Sequence, residues 1–148
     1  MYRNILIATD GSELSGHAVA QGLALAKAVG ANATLVTVTE MWSPRDMASR
    51  VVLGDQFPTE EYDKQAADGA QAILAAAAGL AAAAGVPCQS VHVADHAPAA
   101  GVLKAAADGG CDLIVIATHG RGGLTRLVLG SQTSDVIAGA TVPVLVCH

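Results

Sequence analysis

Apolar positions along this chain fall into short continuous runs, separated by longer stretches with helical spacing. The first run spans Asn4 to Thr9 and ends in the polar trio Asp10-Gly11-Ser12. A short apolar run bounded by turn residues predicts a buried strand. Leu14, Ala18, Gly22, Leu25 and Val29 then recur every three or four positions, the spacing of one helix face. Ser12 or Asp10 can cap that helix. The reciprocal capping box is absent, because Ser15 and not Glu stands three residues after Ser12. Gly30 suits the position just past the helix end. Ala33 to Thr39, rich in β-branched side chains, predicts a second strand.

Glu40 to about Thr59 contains Pro44, Gly54 and Pro58 and shows no clear period. It is expected to be a long loop, of the kind that forms a lid or a surface excursion. Glu60 to Gly85 predicts a long helix with Tyr62, Ala66, Ile73, Ala77, Leu80 and Ala84 on one face. Its alanine-rich half is read as structure, since alanine has the highest helix propensity. Cys88 to Ala94 predicts a third strand. Pro98 opens a helix carrying Val102, Leu103 and Ala106, which stops at Gly109-Gly110. Leu113 to Ala117 is a fourth strand. Thr133, Val136, Ile137 and Ala140 give a helical face from Ser131, and Pro143 to Cys147 is a fifth strand.

The pattern is βα four times with a closing β. Short, continuously apolar strands belong to a parallel sheet covered on both faces. Right-handed crossovers make this an α/β, doubly wound open sheet of five strands in one domain over residues 1–148. If the strand order is 3-2-1-4-5, the order reverses between strands one and four. Ligands of such sheets bind there, outside the carboxyl ends, with Asp10 beside Gly120.

Composition narrows the partners. The formal charge is −5, from 8 basic and 13 acidic residues, and the chain has one Phe, two Tyr and one Trp. Scattered basic residues and few aromatics argue against a nucleic-acid surface. The longest candidate for a membrane span, Ala66 to Val86, contains Asp68 and is mostly alanine. Met1-Tyr2-Arg3-Asn4 leads straight into a strand without a signal-peptide pattern. No membrane association and a cytoplasmic location are therefore expected. Cys88, Cys111 and Cys147 form no CxxC and are expected to be reduced packing residues.

The candidate chemistry concentrates between Asp112 and Ser134. A buried strand runs into Thr118-His119-Gly120-Arg121-Gly122-Gly123, and a second small-residue turn, Gly130-Ser131, opens the last helix. Glycines and hydroxyls after a buried strand present backbone N–H groups to an anion. Arg121 can add a charge-assisted donor. The five histidines have no metal-binding spacing, and neither GxxxxGK[ST] nor GxGxxG is present. Phosphoryl-transfer machinery would want a lysine and two metal-holding groups near the glycines; only Asp10 is available. A phosphorelay receiver shares the fold class, with Asp95 as a possible acceptor, but the acidic pair after strand one is missing.

ILIATDGSELS at the front, and ATHGRGGLTRLVLGSQTSDVI with VPVLV at the back, resemble the single-domain, nucleotide-binding branch of the universal stress protein family. The family pattern is Gly, two residues, Gly, nine residues, Gly, then Ser or Thr. Gly120, Arg121 to Leu129, and Gly130-Ser131 match it; Ala117 stands where the first glycine belongs. The resemblance implies ATP with Mg²⁺ as ligand. Asp10 would lie near the ribose or the phosphate–metal region and hold the metal. Val38, Ile116 and Ala117 would line the adenine pocket. Gly120, Gly130, Ser131 and Thr133 would hold phosphates, and Ala8, Thr9, Arg121, Gly123 and Gln132 complete the set. The implied role is an ATP-binding regulator of the stress response, homodimeric through the C-terminal strand, with an unidentified regulatory protein partner. The alternatives are a slow ATPase or autokinase using Asp10, Mg²⁺ and Ser131, or a nucleotide-free interaction protein.

Overall fold

The computed structural model describes residues 1–119 and 129–148. The elements in order are β1 (Asn4–Ala8), α1 (Glu13–Val29), β2 (Asn32–Val38), α2 (Pro44–Val52), α3 (Pro58–Ala84), β3 (Cys88–Val93), α4 (Pro98–Asp108), β4 (Leu113–Ala117), α5 (Ser131–Gly139) and β5 (Val144–Cys147). The strands form one parallel sheet in the order β3-β2-β1-β4-β5. This is the expected doubly wound α/β sheet, with the reversal between β1 and β4.

Alternation along the strands divides the core in two. Ile5 and Ile7 of β1, Leu35 of β2, and Leu113, Val115 and Ala117 of β4 face α1 and α3. Leu6, Val36 and Ile114 face the other way, against α4 and Val136 of α5. Both faces are apolar, so the strands read as continuous runs and not as alternating ones.

Helix ends follow the sequence cues more closely than helix faces do. The Ser12 hydroxyl accepts the Ser15 N–H and caps α1, while Asp10 Oδ1 accepts the Ser12 N–H. Gly30 and Gly85 close α1 and α3 in the left-handed region, at φ 70° and 72°, where glycine pays no Cβ penalty. The buried face of α1, however, is Ser15, Ala18, Val19, Gly22, Leu23 and Ala26. Leu14, Leu25 and Val29 only flank it. In α3 the buried residues are Ala70, Leu74, Ala77 and Ala81, and Leu80 is 52% exposed. Ile137 of α5 is also exposed. Small residues let each helix axis approach the sheet, so the larger side chains are displaced to the flanks. Cys88 is exposed, against the expectation that all three cysteines pack; Cys111 and Cys147 are buried.

The expected loop between Glu40 and Thr59 contains a helix, α2. Ser43 caps it by accepting the Asp46 N–H, and Pro44 occupies its first turn. The segment is polar overall, and Met47 is the single buried residue of α2. Its attachment to α3 is largely polar: Arg50 donates to Gln65, pairs with Asp55 and lies over the Tyr62 ring. Among the described residues, α3 alone is long and apolar enough to cross a membrane, so composition does not rule this segment out as the sequence reading had it. Here it covers β2 and β3, with its alanine seam in the core.

The amino ends of the strands are joined by a polar clip. Asn4 donates to the Gly109 carbonyl and accepts from Thr34, whose hydroxyl accepts from Gln89. Asp112 accepts the backbone N–H groups of Arg3 and Asn4 at 2.9–3.1 Å. Partial burial pushes the Asp112 carboxyl up, but these N–H groups and the nearby Arg3 charge outweigh it and hold the carboxyl below its ordinary value. A carboxyl depressed on folding stabilises above its unfolded pKa and loses that contribution as pH falls through its folded pKa. Asp112→Asn should therefore cost about 1 kcal/mol at neutral pH, a low figure for bonds to a charged group because solvent screens it. That is roughly 2–4 °C in Tm for a chain of this size. Melts of both proteins should converge at a pH below both pKa values; a gap persisting there would refute the charge argument.

Candidate functional site

At the carboxyl end of the sheet the chain leaves β1 towards β2 and leaves β4 towards β5, so a cleft opens between the two connections. Its floor is apolar. Ala8 and Val38 end β1 and β2, and Ile116 is the last residue but one of β4; all three lie on the face that carries α4 and α5, and all are only half-buried. Val38 is flush with α4, because a Cβ on Gly101 would come within 2.5 Å of Val38 Cγ1. The close approach of α4 needs glycine there. The Ala117 methyl points the opposite way, into the α1 core, where the residue is 4% exposed. The one departure from the family's glycine pattern is therefore absorbed as packing.

One wall of the cleft is the turn after β1. Gly11 takes φ 79°, turning the chain sharply into α1. A buried hydroxyl pair stands beneath it. The Ser15 hydroxyl donates to the Ser12 carbonyl and accepts the Asp10 N–H. Its proton is thus spoken for, so in the 3.0 Å contact between Thr9 Oγ1 and Ser15 Oγ the threonine is the donor. Thr9 Oγ1 in turn accepts the Gly11 N–H. Ser15 was seen in the sequence only as a failed capping-box position. Its signal was present nonetheless: a hydroxyl on the sheet-facing side of an otherwise apolar helix must find partners.

The other wall is the start of α5. Gly130 is the cap residue, and its N–H donates to the Thr118 carbonyl at 2.9 Å. Its φ of −59° is open to any residue, so conformation does not demand glycine here. Space does: a Cβ would stand 2.9 Å from the Thr118 oxygen. Ser131 and Gln132 are exposed in the first turn of α5. Thr133 is 2% exposed, and its hydroxyl serves the carbonyls of Ala117 and Thr118, fixing α5 to the end of β4. Gln132 turns its amide oxygen away to accept the Ala99 N–H of α4.

The structure thus brings together Ala8, Thr9, Asp10, Val38, Ile116, Gly130 and Ser131 at one end of the sheet. Ala117 and Thr133 lie beneath them as supports. Gly120, Arg121 and Gly123 lie outside the described residues. A groove of about 470 Å³ opens at the opposite, amino-terminal end, between Arg3, Asn4, Asn32, Pro87, Cys88 and Gln89. It lacks helix amino termini, and the carboxyl-end cleft is the better site on chemical grounds. The donors of the turn after β1 are spent within that turn, so the cleft offers an apolar shelf next to the exposed Ser131 and the amino end of α5. That arrangement suits a ligand with an apolar ring at one end and anionic groups at the other.

The match to known proteins runs the length of the chain. The model of the universal stress protein family matches residues 1–148. The universal stress protein in the QAH/OAS sulfhydrylase 3' region of Thermus aquaticus is 36% identical over 145 residues, with 98% of each chain covered. Hypothetical protein MJ0577 shares the fold with a TM-score of 0.80 at 26% identity, over 99% of this chain and 96% of that one. Two more distant structures, each at a TM-score of 0.69 and covering 99% of this chain, also share the fold. They are a universal stress protein in complex with cAMP, 23% identical over 97% of that chain, and one from Archaeoglobus fulgidus in complex with dAMP, 18% identical over 98%. In sequence and in fold alike, the chain belongs to the universal stress protein family.

Proposed function

We propose that this protein is a cytoplasmic regulator that binds an adenine nucleotide, ATP with Mg²⁺, in the cleft between β1 and β4, and that occupancy changes the surface offered to a regulatory protein partner. The observation that carries this reading is the half-open shelf of Ala8, Val38 and Ile116 set against the turn at Gly130-Ser131. A flat aromatic base can lie on the shelf. The phosphates then reach the amino end of α5, where N–H groups and the helix dipole favour negative charge. The same fold carries cAMP and dAMP in two related proteins. The carboxylate of Asp10, oriented by the Ser12 N–H, is the hard oxygen donor that a nucleotide-bound Mg²⁺ would use to complete its shell.

The reading extends to a homodimer. Among the described residues β5 is an edge strand paired with β4 alone, and Leu145 on it is 37% exposed. Two-fold pairing of such edges satisfies their open N–H and C=O groups and covers their apolar side chains.

If ATP binds the native state alone, a concentration one hundred times Kd stabilises it by about 2.7 kcal/mol. Thermal melts with millimolar MgATP should then rise by roughly 5–10 °C. No shift, together with no heat on calorimetric titration, would favour the nucleotide-free interaction protein. Gly130→Val should weaken ATP at least about tenfold while the protein still folds, because its Cβ meets the Thr118 carbonyl and displaces the turn. Full affinity in that variant would place the site elsewhere. Light scattering at tens of micromolar should give twice the 14.8 kDa of one chain, and Val146→Lys should shift it towards monomer. A wild-type mass of one chain would remove the dimer.

A further inference from the structure

We propose that Gln132 couples the nucleotide cleft to the first turn of α4, so that occupancy of the cleft and ordering of that turn reinforce each other. The inference rests on the nucleotide reading above.

The α4 helix cannot cap itself. The cap residue of α4 is Ala97, which has no side-chain acceptor, and Pro98 has no N–H. Ala99 carries the first N–H of the helix that needs a partner. Its partner is Gln132 Oε1 at 3.0 Å, supplied by the neighbouring helix 33 residues away in sequence. Gln132 lies between the two residues that define the α5 turn. Ser131 before it is exposed at the amino end of α5, and Thr133 after it is bonded to the Ala117 and Thr118 carbonyls. A ligand that orders this turn therefore orders the cap of α4.

The same turn of α4 meets the cleft a second time. Gly101 lies against Val38, so the first turn of α4 backs the apolar shelf as well. The two ends of the proposed ligand, base and phosphates, thus press on one short segment through independent contacts. That segment follows an exposed corner where Asp95 holds a left-handed φ of 60°. The corner is the place where occupancy would be visible from outside. Coupling of this kind is reciprocal: whatever holds the first turn of α4 in place must also favour the nucleotide.

Amide exchange read by mass spectrometry on the full chain tests this, with MgATP at concentrations that saturate each variant. In the wild type, MgATP should slow exchange over residues 99–102 by about fivefold, the low end of allosteric coupling. Gln132→Ala should lose that response, and Gln132→Glu, which keeps an oxygen acceptor, should retain it. Ala97→Ser approaches the same link without altering the cleft. Ala97 already has the extended conformation of a cap residue, φ −61° and ψ 144°, so a serine hydroxyl there can take the Ala99 N–H locally. This variant should bind ATP yet show protection of α4 that no longer depends on it. Full ATP-dependent protection in Ala97→Ser would overturn the proposal. So would binding heat in the wild type without any response in α4. Absence of binding heat in the wild type would instead remove the nucleotide reading, and this inference with it.

Discussion

The two halves of the chain meet along one seam, where Ile5, Leu6 and Ile7 of β1 pair with Leu113, Ile114 and Val115 of β4. Everything at the carboxyl end of the sheet depends on it. Right-handed crossovers from β1 carry the chain one way, to β2 and β3, and from β4 the other way, to β5. The sheet cannot close over its own carboxyl end at that seam, because the two connections diverge. The cleft is thus a topological necessity before any residue in it is chosen. The residues then decide what it can hold: half-buried apolar strand ends on one side and hydroxyl-rich turns on the other.

The fold was legible because its signals are local. Four short apolar runs and one weakly alternating segment, Cys88 to Ala94, give the strands, and Gly30, Gly85 and Pro98 punctuate the helices between them. Helix faces were legible only in part. Periodicity finds the large apolar residues, whereas the deepest positions on α1 and α3 are small ones, such as Ala26 and Ala81, at 0% exposure. Volume, not hydrophobicity, sets how near a helix comes to the sheet. α2 was missed for the opposite reason. It is nine residues long, polar overall and buries one methionine, so it lacks the apolar content that marks the other helices.

For the site, the sequence gathers candidates that the structure places at one end of the sheet, but it does not give their bonding partners. Thr133 read as a phosphate ligand, and its hydroxyl turns out to clamp α5 to β4. Gln132 read as a further member of the nucleotide-binding set, and its side chain caps a different helix. Ser15 was not read as part of the site at all, yet it organises the turn that carries Asp10. Motifs record which residues are near a ligand. They do not distinguish those that touch it from those that hold the others in place, since that depends on partners distant in sequence. Gly130 shows the same limit. Its need for glycine comes from the Thr118 carbonyl and not from its own backbone angles.

The polar clip at the amino ends has a consequence for how the chain is made. Asp112 bonds to the backbone of Arg3, 109 positions earlier, and β1 joins β4 over almost the same interval. A ribosome adds about 5–20 residues per second, so roughly 5–20 s separate the emergence of Ile5-Leu6-Ile7 from that of its β4 partner. β2 can pair on one side early, since Asn4 meets Asn32. The other side of β1 remains an open apolar edge through most of translation. During that interval the nascent chain, and not the finished protein, is the form most in need of a chaperone.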